Sequence, residues 1–458
     1  MPRRVSWMLV VPAVLLGVLV GRARPDEAGD GRGIDFRKIV RDAKDRVFPA
    51  VVYVKCIQET HEGGKRESQQ VGGSGVIISK EGEFLTNWHV VEKATEVRCM
   101  LFDGQALHAE VVGSDKDTDL ALCRLKPADA AATFPLAVLG DSDALVEGDF
   151  VMAMGAPWGM SRSVSIGIVA CTRRYLPGNS EYSLWVQTDC SISPGNSGGP
   201  LVNTRGEVVG INSRGIMYGG DMGFAIPSST IRLIAEQLRA HGAVAWSWTG
   251  LQLQPLRDFD KDMYFEGNRG VIVAGTDADS PARRAGILPQ DRLLSADAAA
   301  LDAVTAEDLP AVQRTLGLLP KEKPARVRLR RGAEEVEVSL VPREKGAVEG
   351  AELACARWDF SAKTINQFDN PDLYLYRKQG VFVFGVKSPG NADDAGFAQG
   401  DILLKIGTRE VASLDDLKAV HKAAIERVQA EHRLVFTILR NGLQRQVVLD
   451  FARDYERE

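Results

Sequence analysis

The chain is short of the residues that build metal centres, disulfide scaffolds and nucleic-acid surfaces. Its 458 residues include only six cysteines (Cys56, Cys99, Cys123, Cys171, Cys190, Cys355). That count is too low for a disulfide-dense scaffold, and the spacing resembles no zinc site, so no metal is expected. An even number still permits disulfides in an exported chain, with their pairing open. Cys99 and Cys123 fall inside apolar strand patterns, where a free buried thiol is equally natural. No block of Lys or Arg stands out and the formal net charge is only −5, so nothing points to nucleic acid. No feature calls for a cofactor. Long apolar runs are missing too, with one exception. Arg3-Arg4 precede an apolar stretch from Val5 to Gly21, followed by Arg22-Ala23-Arg24-Pro25. The run is short for a bilayer span of about 20 residues and Pro12 interrupts it. It reads as an export signal over residues 1–24, with small residues at Gly21-Arg22-Ala23 for cleavage. A retained signal anchor is the alternative, because arginines follow the run directly. The paired arginines lack the surroundings of a twin-arginine signal. Residues 25–36 read as a linker.

Histidine is equally scarce. Of six, His61, His108, His241, His421 and His432 have no setting that suggests chemistry. His89 does: Thr86-Asn87-Trp88-His89-Val90-Val91 closes an apolar strand. Asp115-Lys116-Asp117-Thr118-Asp119-Leu120-Ala121-Leu122 then leads from a polar turn into another strand at Asp119. Further on comes Gly195-Asn196-Ser197-Gly198-Gly199-Pro200. A serine hydroxyl needs a base to take its proton and donors to hold the oxyanion that follows. Glycines on both sides of Ser197 let the backbone turn tightly, so that the Gly195 and Ser197 N–H groups, with Asn196 between them, point at one oxygen. Each piece alone is an ordinary turn or strand end. Together, in the order His, Asp, Ser, they match the chymotrypsin-type double barrel rather than subtilisin or the α/β-hydrolases.

With Gly73-Ser74-Gly75-Val76-Ile77-Ile78 and Gly223-Phe224-Ala225-Ile226-Pro227, these segments resemble the HtrA/Deg family of serine proteases. The resemblance covers nearly everything after about residue 36. It implies a mainly β fold, a double β-barrel over residues 37–242 followed by two PDZ-like domains, and an ATP-independent endopeptidase of the cell envelope or bacterial periplasm acting on unfolded or damaged proteins. It implies a homo-oligomer built from trimers. One departure stands beside the base, where Trp88 replaces the family's small polar residue. A chaperone or scaffold with secondary proteolysis, and a membrane-tethered regulatory protease, are the competing readings.

At 458 residues the chain is too long for one core and suggests about three domains. Up to Pro227 it reads as short strands separated by Gly, Asp and Asn turns, after a helical stretch from Phe36 to Pro49 and a first strand over Ala50–Cys56. Ser228–His241 has helical periodicity, serines able to cap its start, and Gly242 at its end. An internal repeat follows. Ser280-Pro281 and Ala285-Gly286-Ile287 are echoed by Ser388-Pro389 and Ala395-Gly396-Phe397, and Asp291-Arg292-Leu293-Leu294 by Asp401-Ile402-Leu403-Leu404. Each copy ends in a hairpin, at Arg331-Gly332 and Asn441-Gly442. The copies span 246–343 and 346–454 and resemble PDZ domains, which add an extended peptide to a sheet edge and hold its C-terminal carboxylate on loop amides. Thr249-Gly250-Leu251 matches that loop in the first copy, making peptide C-termini its expected partners. In the second copy the loop is expected at Glu349-Gly350-Ala351, where an acid beside the site makes ordinary C-terminus binding doubtful.

The specificity pocket is expected to be lined by Ser191, Ile192, Ser193, Ile211, Asn212, Ser213, Phe224 and Ala225. None carries charge, so a small or medium apolar residue before the cut is expected rather than Lys or Arg. Asn196 stands where trypsin-like zymogens need an acid, so control must work otherwise. Loops at Gly159–Ser183, Ser191–Pro194 and Gly215–Asp221 are candidates for switching between collapsed and ordered forms.

Overall fold

The computed structural model describes residues 35–157, 162–216 and 222–456. The expected export signal over residues 1–24 falls outside them, as do parts of two of the candidate switching loops. Among the described residues no helix is long and apolar enough to cross a membrane.

Helix Phe36–Val47 starts at Asp35, whose carboxylate caps the Lys38 N–H at 3.2 Å. It leads into the first strand, Val51–Thr60, longer than the sequence suggests. Here Val52, Val54 and Cys56 point inward and are fully buried, while Tyr53, Lys55 and Ile57 between them are half-buried. This strand belongs to a closed six-stranded barrel in the order Val51–Thr60, Glu67–Ile77, Glu83–Asn87, Leu120–Lys126, Ala106–Asp115, Ala94–Met100. A second barrel runs Pro200–Asn203, Phe150–Gly155, Ser163–Arg174, Trp185–Thr188, Met222–Pro227, Glu207–Ile216, and closes where Pro200–Asn203 meets Glu207–Ile216. All six cysteines are free thiols, five of them buried. Burial pushes the Cys56 thiol up to about 12, so it packs as a small apolar group.

Helix Ser228–His241 follows and lies on strands Ala106–Asp115 and Leu120–Lys126 of the first barrel. It ends at Gly242, in the left-handed region at φ 74°. Its serines do not cap it. Ser228 Oγ donates instead to the Gly140 carbonyl (2.7 Å), and Ser229 N–H donates to Ser142 Oγ (3.0 Å). These bonds tie the helix to the second barrel's outer loop.

Two similar units complete the chain. The first has the sheet order Leu251–Gln254, Val271–Thr276, Arg292–Ala296, Ala325–Arg331, Glu334–Leu340, with helix Leu309–Gly317 beside it. The second repeats this as Phe360–Thr364, Val381–Val386, Ile402–Ile406, Arg433–Arg440, Leu443–Asp450, with helix Leu414–Glu426, and places one more strand, Glu352–Cys355, outside Phe360–Thr364. The first unit's core is aliphatic, around Val271, Leu293, Val327 and Leu329. The second's is aromatic, with Trp358 packed among Phe360, Phe436, Phe451 and His421.

Both units dock on the barrels. Trp246, ahead of the first unit, stacks on Tyr182 at 3.9 Å between ring centres and donates from Nε1 to Asp115 (2.9 Å). Between the units, buried Lys345 reaches Asp117 (2.8 Å) and Glu181 (3.0 Å). The second unit receives the tip of the hairpin joining Val51–Thr60 to Glu67–Ile77: Ser361 Oγ donates to the His61 carbonyl, and a Cβ on Gly385 would lie 1.9 Å from Glu62 O. Glu349 pairs with Lys116 at 2.5 Å and Glu352 with Lys93 at 2.7 Å.

Candidate active site

His89 sits on one helical turn, Trp88–Val91, straight after strand Glu83–Asn87. Asp119 immediately precedes strand Leu120–Lys126, and the two strands pair with Asn87 facing Leu120. One ladder therefore brings the two side chains to the same rim. Asp119 turns the chain at φ 56°, a left-handed conformation that aspartate tolerates better than most residues. Its carbonyl takes the Trp88 N–H (3.0 Å) and Asn87 Nδ2 (3.1 Å). Its buried carboxylate accepts from His89 Nδ1 at 2.9 and 3.0 Å, from His89 N–H at 3.2 Å, and from the Ser213 hydroxyl. An ionised carboxylate only accepts, so His89 carries its proton on Nδ1 and leaves Nε2 with a lone pair facing the cleft.

Ser197 comes from the second barrel, held by a turn from Ser193 to Asn196. Asn196 N–H closes it on the Ser193 carbonyl (2.9 Å), and Gly195 in third place has φ 98°, the sign a type II turn demands. Ser74 of the first barrel fastens the turn: its hydroxyl donates to the Gly195 carbonyl (2.6 Å) and accepts from Ala156 N–H (2.8 Å), while its N–H donates to the Ser197 carbonyl (2.7 Å). The following glycines are obligatory. A Cβ on Gly198 would lie 2.1 Å from Ser74 O, and one on Gly199 2.1 Å from Met154 O. Among the described residues the N–H groups of Gly195 and Ser197 have no internal acceptor. Ser197 Oγ donates to the Ser213 carbonyl (2.9 Å), and His89 Nε2 has no partner among the described residues.

The cleft beside these groups is a cavity of about 440 Å³ lined by Trp88, His89, Asp119, Asn179, Trp185, Ser213 and Arg214, together with Lys116, Asp117 and Glu181. Of the eight residues expected in the pocket, Ser213 alone borders this cavity. Ile192 lies against Gly223, where a Cβ would meet its Cδ1 at 2.7 Å. Ser191 and Ser193 are exposed. Ile211, Phe224 and Ala225 are closed into the barrel core, and Asn212 turns its amide inward to Pro200 O at 3.1 Å. The strand bulges between Asn212 and Arg214, and the consecutive residues Ser213 and Arg214 both line the cavity. Arg214 is the residue sequence reasoning missed. Its guanidinium lies 5.3 Å from the Trp185 ring centre and 3.7 Å from Asp119, with Nε buried and unpartnered. Its place directly after Ser213 was the available signal. Trp88 forms part of the wall, with Lys116 Nζ 5.1 Å from its ring centre.

A second cavity, about 360 Å³, lies between strand Leu251–Gln254 and helix Leu309–Gly317 of the first C-terminal unit. Thr249, Gly250 and Leu251 line it, and Lys116, Asp117 and Glu181 border both cavities. Gly250 has φ 69°, and a Cβ there would lie 2.2 Å from Ser280 Cβ. Glu349-Gly350-Ala351, expected to be the matching loop of the second unit, stands elsewhere. It precedes the extra strand Glu352–Cys355, and its Gly350 N–H is taken by Asp369 at 3.0 Å.

Two closed barrels with a histidine–aspartate pair on one rim and a glycine-framed serine on the other define a chymotrypsin-type serine endopeptidase. Residues 73–211 match the model of the trypsin-like peptidase domain, and residues 364–450 that of the PDZ domain. The probable periplasmic serine endoprotease DegP-like of Halomonas elongata is 36% identical over 364 residues, 77% of this chain and 74% of that protein. Its counterpart in Hahella chejuensis is 35% identical over 399 residues, 84% and 81% of the two chains. Among solved structures, the HtrA-type protease AlgW with a tripeptide is similar at 30% identity and a TM-score of 0.58, over 67% of this chain and 97% of that one. The serine endoprotease from Yersinia pestis follows at 28% identity and 0.51, over 66% and 97%. The chain belongs to the HtrA/DegP family of serine endoproteases.

Proposed function

We propose that Ser197 is the nucleophile of an ATP-independent endopeptidase that degrades unfolded or damaged proteins in the cell envelope. In this reading Ser197 Oγ attacks the scissile carbonyl as its proton passes to His89 Nε2. His89 then returns that proton to the leaving amine, and Asp119 fixes the tautomer and stabilises the imidazolium. The N–H groups of Gly195 and Ser197 hold the oxyanion, each worth about 2.7–4 kcal/mol in the transition state. The observation that carries the reading is the Asp119 carboxylate, buried and shared between His89 and Ser213. Ser197→Ala is expected to abolish cleavage of casein while leaving folding and assembly intact. Near-wild-type activity in a pure preparation rules the mechanism out. Mapped cut sites in the wild type should follow Val, Ala, Ile or Leu, since Ile192 packs against Gly223 and none of the eight residues expected in the pocket is charged.

The proposed division is a protease domain over 37–242 and PDZ domains over 246–343 and 346–454. The first unit's identity as a PDZ domain is supported by the repeat and by the uncovered edge of Leu251–Gln254. Its ligands in this reading are peptide C-termini held at Thr249–Leu251, and they reach the cleft through Lys116, Asp117 and Glu181. Export to the periplasm, and assembly from trimers, belong to the same proposal, with the relatives' names supporting the first.

A further inference from the structure

The two C-terminal units differ at one edge. Their ladders fix the correspondence: Leu251 faces Thr276 in the first and Phe360 faces Val386 in the second, and both ladders shift register one residue later, after Gln252 and Ser361. Gly250, at φ 69°, therefore corresponds to Asp359, at φ 59°. A PDZ domain takes its ligand as an added strand on this edge, with loop amides on the ligand's last carboxylate. In the first unit the edge of Leu251–Gln254 carries no strand.

In the second unit the edge is filled. Glu352–Cys355 runs antiparallel along Phe360–Thr364, from Glu352 opposite Lys363 to Cys355 opposite Phe360. It also contacts helix Leu414–Glu426, the element that flanks the groove, where His421 Nε2 bonds the Ala356 carbonyl at 2.8 Å. Its last residue has the two features of a ligand terminus. The Cys355 carbonyl accepts both loop amides, Trp358 N–H and Asp359 N–H, each at 3.1 Å. The Cys355 side chain is fully buried in the domain's core.

We infer that the peptide groove of the second PDZ domain is occupied in cis by Glu352–Cys355, with Cys355 standing in for a ligand's terminal residue. The groove is thereby withdrawn from external C-termini. The internal strand gains on any competitor because the turn at 356–359 keeps it at a high effective concentration. The same strand carries Glu352, which bridges to Lys93 (2.7 Å) and His61 (3.1 Å) of the first barrel and to Lys363 (3.2 Å) of its own domain. Filling the groove and docking the domain are thus one event, and a chain that expels the strand gives up both.

The test uses the full chain and a peptide copying residues 350–355 with a free C-terminus. In the wild type, the amide hydrogens of Leu353, Cys355, Ala362 and Thr364, which face the shared ladder, should exchange slowly and together, and this peptide should not bind at the second domain. Thr364 N–H bonds the Ala351 carbonyl (2.9 Å), so positions 351, 353 and 355 turn their amides to Phe360–Thr364, and Leu353→Pro breaks the ladder, since proline has no N–H and a fixed φ. That variant should bind the peptide at least about ten times more tightly than the wild type, with Cys355 now open to a maleimide. These readouts lie in the second domain alone, so they stand whether or not the first unit binds peptides. Equal peptide affinity in wild type and a folded variant overturns the inference. If Leu353→Pro fails to fold, the wild type decides, and rapid exchange at Leu353 and Cys355 overturns it.

Discussion

The two C-terminal units share a sheet order, a flanking helix and a left-handed residue at the same place, yet one presents a free edge and the other a covered one. The difference arises just before the loop. In the first unit the residues ahead of it, Ser247–Trp248, are drawn away to pair with Arg343–Glu344. In the second, Glu352–Cys355 folds straight back onto the edge, and the loop position matching Thr249 is Trp358. Repeating a domain fixes its framework. What the preceding residues do decides whether its edge is available.

That framework difference is broken most directly at Trp358. The side chain is completely buried at the centre of the aromatic core, whereas Thr249 in the matching position lines a cavity. Trp358→Ala should cost the second unit about 3–5 kcal/mol, the range for deleting a large buried aromatic. Thr249→Ala should cost the first less than about 1 kcal/mol, because its hydroxyl meets only Leu251 N–H at 3.4 Å. Hydrogen exchange in the two C-terminal hairpins reports each unit separately. Comparable losses in both would mean that the ladder correspondence is misjudged.

A smaller effect separates the two docking contacts by pH. Burial, helped by neighbouring Asp117 and opposed by bonds from Thr118 and Trp246, pushes Asp115 up to about 6. The folded state thus holds this proton more tightly than the unfolded chain. Stability gained from it is complete below the ordinary value of 3.8 and is lost as pH rises through about 6. At 1.36 kcal/mol per unit the span is at most about 3 kcal/mol. Glu352 behaves oppositely: burial raises it, but Lys93 and Lys363 outweigh burial and hold it below the usual carboxylate range. Its contribution is present above that range and disappears only in stronger acid. Acidification from pH 7 to 5 should therefore stabilise the folded chain through Asp115 without loosening the contacts of Glu352. Denaturation at pH 7, 6 and 5 checks the sign, and a slope that survives Asp115→Asn assigns it to another group.

Much of this was legible in the sequence where the determinants are local. The segments carrying His89, Asp119 and Ser197, the helix Ser228–His241 and the turns at Gly332 and Asn441-Gly442 are set by short-range patterns, and the structure contains each of those elements. Non-local geometry was not legible. Looking for a glycine placed the second unit's loop at Gly350, because glycine is the usual left-handed residue, whereas aspartate at 359 adopts that conformation with its carboxylate bonded to Asn391 N–H (3.0 Å) and Lys387 (3.2 Å). The burial of Ile211 and Asn212 is set by strands distant in sequence, with Asn212 Nδ2 bonding Pro200 O at 3.1 Å. Ser228 and Ser229 start the helix for reasons that need the second barrel beside them.

The comparison is sharpened most finely where the units agree. Asp291 in the first is buried and accepts from Arg331 Nε (2.8 Å), an Arg331 terminal nitrogen (2.7 Å) and Leu288 N–H (2.9 Å). Asp401 in the second accepts from the same two kinds of arginine nitrogen, on Arg440, and from Ala398 N–H at 2.9 Å. Each arginine also bonds, at 2.8 Å, the carbonyl of the glycine after a short helix, Gly286 beyond Pro281–Arg284 or Gly396 beyond Asn391–Ala395. Both bridges thus fasten the final hairpin to the start of the central strand. The arginines are partly exposed and rehydrate when the charge opposite is removed, so the loss is smaller than for a fully buried pair. Asp291→Asn and Asp401→Asn should each cost about 1–2 kcal/mol, equal within about 0.5 kcal/mol, as expected of matching sites with no shared partners. Urea titration of the two single variants, followed by exchange in each hairpin, measures this. A loss at Asp401 much larger than at Asp291 would show that the covered edge also props up the second unit's distant hairpin.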